Sequence, residues 1–70
     1  MTHIVGLEKF SVPLGGQQVE LQEVVHAEGA MPLLRIRIRE GKRFTIFDVD
    51  PVTAKSLAES MLRWAKAQPT

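Results

Sequence analysis

The segment from residue 33 to residue 40 alternates between aliphatic side chains and arginines, and this alternation constrains the fold more than any other feature of the chain. The aliphatic positions and the arginines between them are Leu34, Ile36 and Ile38, and Arg35, Arg37 and Arg39. Successive side chains of a β-strand point to opposite faces of the sheet. The segment therefore predicts a strand in a sheet that is apolar on one side and basic on the other.

Weaker alternation, bounded by turn residues, extends this prediction to most of the chain. Pro13 with the following glycine pair, Gly29 before Pro32, and Gly41 each interrupt an extended segment. We predict strands at about residues 3–12, 17–28, 33–40 and 43–49. Gly6 weakens the first strand and could form a bulge in it. The fold class is then α+β, a four-stranded antiparallel meander with one C-terminal helix packed on one face, in a single small domain over residues 1–70.

The helix is predicted at about residues 51–67. Asp50 can cap the free amides of the first turn, and Pro51 suits the first helical position. Apolar residues then recur at the spacing of one helical stripe. They are Ala54, Leu57, Ala58, Met61, Leu62 and Ala65.

Two details of strand pairing stay open. In the last hairpin, a two-residue turn at residues 40–41 would place Phe47 and Val49 beside the aliphatic side chains of the third strand. A three-residue loop would place Phe44 and Ile46 there instead, and either choice leaves apolar side chains on the arginine side. Glu23 interrupts the apolar positions of the second strand, so either a bulge lies near Gln22 or Glu23 lies outside the helix and stays exposed.

The size of the chain predicts self-association. A 70-residue domain buries only about 60% of the surface that its unfolded chain exposes, and is therefore marginally stable. Small domains gain stability from disulfides, a structural metal or a partner subunit. The chain has no cysteine, and its two histidines cannot complete a zinc site alone. We therefore expect a homo-oligomer, most simply a dimer, with an interface including Val24, Phe47, Val49 and Trp64. The second copy is expected to cover the arginine side of the sheet, with its exposed Phe or Val, or an unpaired sheet edge.

A basic cluster offers a second functional hypothesis. Five of the nine lysines and arginines lie within nine positions, namely Arg35, Arg37, Arg39, Lys42 and Arg43. Such a strip could contact phosphates of a single-stranded nucleic acid or another anion. The alternative is a solvated sheet face that neighbouring acids neutralise. If Glu28 pairs with Leu33, Glu20 lies only near the end of the strip and neutralisation is partial.

No residue pattern indicates a catalytic, metal or cofactor site. Asp48 and Asp50 could form an acid and base pair or bind a hard cation, but helix capping already accounts for Asp50, and two carboxylates make a poor magnesium or calcium site. We expect Asp48 to contact an arginine or water. The chain has no apolar run of about 20 residues and no leader-like N-terminus. We expect a soluble, cytoplasmic protein, and the net charge of +1 gives no overall attraction to nucleic acid or membranes.

The order of elements in RIRIREGKRFTIFDVDPVTAKSLAESML resembles that of the small dimeric transcriptional coactivators that bind single-stranded DNA. In those proteins a basic sheet precedes a C-terminal dimerising helix. The resemblance spans most of the chain, rests on element order, and implies single-stranded DNA as a ligand of the arginine side.

Three functions of different classes follow from the sequence. The leading hypothesis is a non-enzymatic, homo-oligomeric interaction or accessory module without cofactors. The second is single-stranded nucleic-acid binding through the basic side of the sheet. The third is a small enzyme, which would need a site between subunits because 70 residues form few deep clefts.

Overall fold

The computed structural model describes residues 1–69, which form one four-stranded sheet and one helix. In chain order the elements are β1 (His3–Ser11), β2 (Gln18–Val25), β3 (Leu33–Glu40), β4 (Arg43–Val49) and α1 (Pro51–Lys66). The strands follow one another across the sheet as β1, β2, β3 and β4, and each neighbouring pair is antiparallel. The predicted α+β meander is confirmed.

The largest difference from the predicted strand bounds lies at the end of β2. This strand ends at Val25 rather than near residue 28. The chain turns directly afterwards, where the amide of Ala30 donates to the carbonyl of Ala27 at 2.9 Å. Gly29 adopts φ +79°, a left-handed conformation that glycine reaches without steric cost. The turn therefore begins three residues earlier than the alternation indicates.

A two-residue turn at Gly41 and Lys42 sets the register of the last hairpin, one residue later than the turn at residues 40–41 considered from the sequence. Glu40 pairs with Arg43 across this turn, and Gly41 supplies a positive φ of 60°. Phe47 consequently lies opposite Ile36, on the same side of the sheet. The alternative with Phe44 and Ile46 on that side is excluded, and both of these residues lie on the arginine side instead.

The structure also resolves the two irregular positions of the first hairpin. The pairing of β1 with β2 shifts between Gly6 and Glu8, which places a bulge in the edge strand β1. The pairing of β2 with β3 continues without a shift through Glu23, which lies opposite Leu34. Glu23 is exposed. Of the two explanations for this glutamate, the structure excludes a bulge in β2 and leaves an exposed side chain.

The register and the alternation of side chains divide the sheet into two faces. We call the first the apolar face; its principal members are Val5, Phe10, Val19, Leu21, Leu34, Ile36, Ile38, Phe47 and Val49. We call the second the arginine face; its principal members are Ile4, Lys9, Gln18, Glu20, Gln22, Val24, Arg35, Arg37, Arg39, Phe44, Ile46 and Asp48.

Helix α1 packs against the sheet over a much smaller area than a helix that covers a whole face. Its main contact is with β3, and among its residues none is buried. The long dimension of the molecule is 44 Å, whereas a nine-residue strand spans only about 30 Å. A seven-residue strand followed end to end by a sixteen-residue helix would span about 47 Å. The helix therefore projects beyond the sheet instead of lying across it.

The connection between β4 and α1 explains this direction. Only Asp50 separates Val49 from Pro51. The residue before a proline is biased toward extended backbone, and Asp50 has φ −74° and ψ 163°. A single extended residue gives the chain little freedom to reverse, so the helix continues outward from the strand.

The consequence is an open fold with very little interior. Within residues 1–69, Val24 is the one buried hydrophobic residue. The radius of gyration is 14.0 Å, compared with about 11 Å for a compact domain of this length. The accessible surface is 5795 Å², compared with about 4400 Å² for a compact monomer of this mass. The chain leaves exposed roughly 1400 Å² that a compact domain would bury.

Candidate functional site

The arginine face is held together by pairs of charges between neighbouring strands. Arg35 and Asp48 lie opposite each other in β3 and β4. The guanidinium of Arg35 donates from Nε to Asp48 Oδ1 at 2.8 Å and from Nη2 to Oδ2 at 3.1 Å. This two-point hydrogen bond lowers the pKa of the Asp48 carboxyl below its ordinary value. Asp48 therefore acts as the partner of an arginine.

Asp50 caps the start of helix α1, as predicted. Its carboxylate accepts a hydrogen bond from the Thr53 amide at 3.2 Å and another from the Thr53 hydroxyl. These hydrogen bonds, the hydroxyl contribution being the larger, lower the pKa of Asp50. The two carboxylates that the sequence places at the end of β4 thus have separate structural partners.

Glu20 contributes a second charge pair. It lies directly opposite Arg37 in the register of β2 and β3, so the pairing that would leave Glu20 near the end of the arginine strip is excluded. Arg37 Nη1 donates to Glu20 Oε1 at 3.2 Å. The same guanidinium lies 4.5 Å from the centre of the Phe44 ring, within the range of a cation–π contact.

The remaining basic residues of the predicted cluster separate in space. Arg39 stays on the arginine face and donates from Nε to the carbonyl of Gly41 at 3.0 Å. Lys42 lies in the turn, and Arg43 belongs to the opposite side of the sheet because it pairs with Glu40. The structure brings together Arg35, Arg37 and Arg39, but it does not bring Arg43 to the same face.

A groove of about 390 Å³ lies at one end of the arginine face. The charged and aromatic residues that line it are Lys9, Phe10, Glu20, Arg37, Arg39 and Phe44. Lys9 was not in the predicted cluster. It reaches this groove because the bulge in β1 brings Lys9 opposite Glu20. The sequence signal was the glycine at position 6, but alternation alone does not locate the extra residue.

The second candidate surface consists of the apolar face and the exposed stripe of α1. The first turn of the helix lies near one end of this face, where Pro51 and Ala54 line a groove of about 380 Å³ with Leu7, Glu23 and Leu34. Beyond that turn the stripe is exposed, with Met61 at 68% of its full accessibility. A strip of sheet and a strip of helix are both left without an apolar layer against them.

The residues predicted for an interface fall into two groups. Phe47 and Val49 lie on the apolar face, and Trp64 is exposed on the helix at 69%. Val24 lies on the arginine face and has 0% exposure. Val24 has no surface to present to a partner, so we omit it from the proposed interface.

Within residues 1–69, no three acidic or histidine side chains are grouped in the way that a metal ion requires. In the same part of the chain, no helix has the length and apolar character needed to cross a bilayer. The nearest approach of a histidine to a carboxylate is that of His26 Nε2 to Asp48 Oδ2, at 4.0 Å.

The fold and these surfaces define a small α+β protein with two unlike sheet faces. One face is mixed, with charges paired across strands beside exposed Ile4, Phe44 and Ile46, and the other is apolar and uncovered. The chain belongs to a family of proteins of unknown function, described as "Family of unknown function (DUF6967)", which it matches over residues 1–67. No curated protein and no solved structure matches the chain. The surfaces themselves must therefore support any functional argument.

Proposed function

We propose that this protein is a non-enzymatic, homo-oligomeric interaction module whose apolar surfaces are buried between copies of the chain. The observation that carries the proposal is the uncovered hydrocarbon of the apolar face and the α1 stripe. Phe10, Phe47 and Met61 are all exposed in the single chain. Apolar surface of this extent on a soluble domain typically marks a contact surface.

The amount of exposed surface fits a stable dimer. Each chain exposes roughly 1400 Å² more than a compact domain of its mass. Two chains that buried this excess against each other would bury about 2800 Å² in total, which falls in the range of obligate homodimers. Crystal-type or transient contacts are smaller. The area therefore supports a permanent assembly in which folding and association occur together.

The polar groups of the molecule support a binding role over an enzymatic one. The carboxylates of Asp48 and Asp50 are each engaged by a neighbour, and their pKa values are lowered rather than raised toward neutrality. A general acid or base needs a pKa near the working pH. These carboxylates are tuned to stay charged and to hold structure.

The oligomeric state tests the proposal directly. Light scattering after size exclusion should give a mass near twice 7.8 kDa, and sedimentation on dilution should show unfolding coupled to dissociation. Met61→Lys should prevent association, because it places a charge on the exposed stripe. Ser56→Lys places the same charge on the opposite side of the helix and should leave the dimer intact.

Neither substitution removes packing within the subunit, since Met61 is 68% exposed and Ser56 is exposed as well. A loss of mass in the first variant alone therefore reports on the interface. A wild-type chain that stays folded and monomeric down to nanomolar concentration would overturn the proposal.

A second candidate function, binding of a single-stranded nucleic acid, is favoured by the groove on the arginine face. Lys9, Arg37 and Arg39 surround it, and Glu20 is its one acid. The Phe44 ring forms part of the wall, where a base could stack beside cations that contact phosphate. The helix stripe is not involved, so this function is compatible with a dimer.

The test uses a fluorescent mixed-sequence oligonucleotide at low salt. Replacing Lys9 and Arg39 together by glutamine should weaken binding at least tenfold and reduce the salt slope by about 1.4, since two phosphate contacts are lost. Arg43→Gln and Lys66→Gln together remove the same charge outside the groove and should change affinity little. Absence of binding by the wild type, or equal losses in both variants, would exclude this function.

A further inference from the structure

We propose that helix α1 of one subunit lies across the apolar face of a second copy of the chain, and that the second copy returns its own helix in the same way. This inference rests on the proposed homo-oligomer and specifies its partner surfaces. In this arrangement, the α1 stripe of one subunit covers the apolar face of the other.

The direction of the helix makes its own sheet a poor partner. The single extended residue between β4 and α1 carries the helix outward, and only its first turn touches the face at Leu34. Beyond Ala54 every residue of the helix is exposed. The stripe thus projects to where another subunit can receive it, while the face that a folded-back helix would cover stays open.

The dimensions of the two surfaces agree. A sixteen-residue helix is about 24 Å long, and an eight-residue strand such as β3 is about 26 Å long. The stripe combines three large side chains, Leu57, Met61 and Leu62, with alanines between them. Alanine lets the helix axis come close to a sheet, so the larger side chains can fill the spaces between Ile36, Phe47 and their neighbours.

Charge favours this pairing over contact between two sheets. The apolar face carries three exposed acids, Glu8, Glu23 and Glu40, and one exposed arginine, Arg43. Lys55 and Lys66 lie beside the helix stripe, and Glu59 lies further round the helix. A helix on the sheet places opposite charges at the rim of the contact, whereas two sheets face to face would bring the glutamates of both copies together.

Symmetry adds a further reason. Exchange of helices about a two-fold axis forms two equivalent contacts, and each buries one stripe and one face. Contact between two sheets would leave both stripes exposed, and contact between two helices would leave both faces exposed. Reciprocal exchange is the arrangement that covers all four surfaces within a closed dimer.

The absence of cysteine from the chain permits a clean crosslinking experiment. One chain carries Leu57→Cys or Met61→Cys in the helix, and a second chain of different tag carries Phe47→Cys in the sheet. The two chains are unfolded together, refolded and treated with a short flexible bismaleimide. Exchange predicts efficient links between helix and sheet cysteines in different chains, and at least tenfold less linking of either chain to itself.

Matched controls define the faces. Ser56→Cys, on the opposite side of the helix, should link poorly to Phe47→Cys. Ile46→Cys, on the arginine face, should link poorly to Met61→Cys. These four positions are exposed in the single chain, so low reactivity in the controls reflects the geometry of the assembly.

The alternative outcomes separate this inference from the proposed function. Self-linking of the helix variants would indicate paired helices, and self-linking of the sheet variant would indicate stacked sheets. Either result, or no link in a sample that light scattering shows to be dimeric, overturns the exchange while the homo-oligomer stands. A double variant with Met61→Cys and Phe47→Cys that crosslinks within a folded monomer would overturn both.

Discussion

The two faces of the sheet are stabilised in different ways. On the arginine face, Arg35 and Arg37 each find an acid on the adjacent strand, Asp48 and Glu20, so the charges are satisfied within the sheet itself. On the apolar face, side chains such as Ile36 contact their neighbours but still need a layer above them. Polar pairing is local to two strands, whereas hydrocarbon burial requires a second layer, and this chain does not supply one to itself.

The largest expected difference in stability between the two faces comes from truncating an aliphatic side chain on each. If the proposed dimer forms, Ile36→Ala should lower its free energy of unfolding by about 2 to 3 kcal/mol, because the partner would bury this side chain and the truncation would leave a cavity. Ile46→Ala makes the same chemical change on the arginine face. Ile46 is 52% exposed, so its loss should cost less than about 1 kcal/mol.

Urea unfolding at one fixed protein concentration measures both values. The m-value should stay unchanged in each variant, which keeps the comparison on stability alone. Equal losses at the two positions would show that no partner covers the apolar face more than the arginine face.

The second prediction concerns the stability of the protein at acidic pH. The pKa of Asp48 is lowered from 3.8, first by its hydrogen bonds from Arg35 and also by the charge of that arginine. A carboxylate with a lowered folded-state pKa stabilises the fold fully at pH values above the unfolded pKa. This stabilisation decreases as the pH falls past 3.8 and is lost below the folded pKa, where both states bind the proton.

Melting temperature measured from about pH 6 to about pH 2 tests this effect. Asp48→Asn should lower the melting temperature at neutral pH and flatten its decrease in acid. Asp50→Asn should flatten the profile in the same direction, since the pKa of Asp50 is lowered as well, mainly by Thr53. A profile in Asp48→Asn as steep as that of the wild type would show that the Arg35 pair contributes nothing to stability.

The smallest effect is expected from the second charge pair. The Arg37 side chain is 40% exposed, so Glu20→Gln should change the free energy of unfolding by less than about 0.5 kcal/mol. The same variant removes the one acid of the arginine-face groove. Affinity for the oligonucleotide should therefore rise about threefold, corresponding to roughly 0.7 kcal/mol for a unit charge about 6 Å away in water.

Glu8→Gln, a neutralisation on the apolar face, is the matched control for both measurements. It should leave oligonucleotide affinity nearly unchanged. A rise in affinity of the same size in Glu8→Gln would indicate a response to net charge and would remove the groove from consideration.

The strands and the helix start were predictable because their signals are local. Alternation at residues 33–40 depends only on the pleat of a strand, and Asp50 followed by Pro51 marks a helix start by side-chain chemistry alone. The pairing of Arg35 with Asp48 was anticipated only as a contact with an arginine or water. Its geometry depends on the two-residue turn at Gly41, and residue type alone does not distinguish that turn from a longer one.

The placement of the helix was harder to predict from the sequence. An amphipathic stripe indicates that a helix will be buried, but it does not indicate by which chain. The expectation that α1 covers its own sheet followed from the stripe and ignored the length of the connection. A one-residue joint before proline was the available signal. The position of Lys9 in the groove could not be predicted from the sequence either, because it depends on where the bulge in β1 adds a residue.

The bulge at residues 6–8 of β1 also bears on how large an assembly can grow. A long, regular outer strand offers free amide and carbonyl groups that further chains can extend indefinitely into fibres. An inserted residue bends that border and breaks the repeat of its hydrogen-bonding groups. For the proposed dimer, we therefore expect the bulge to disfavour addition of further strands at β1, so that assembly stops at a small number of chains.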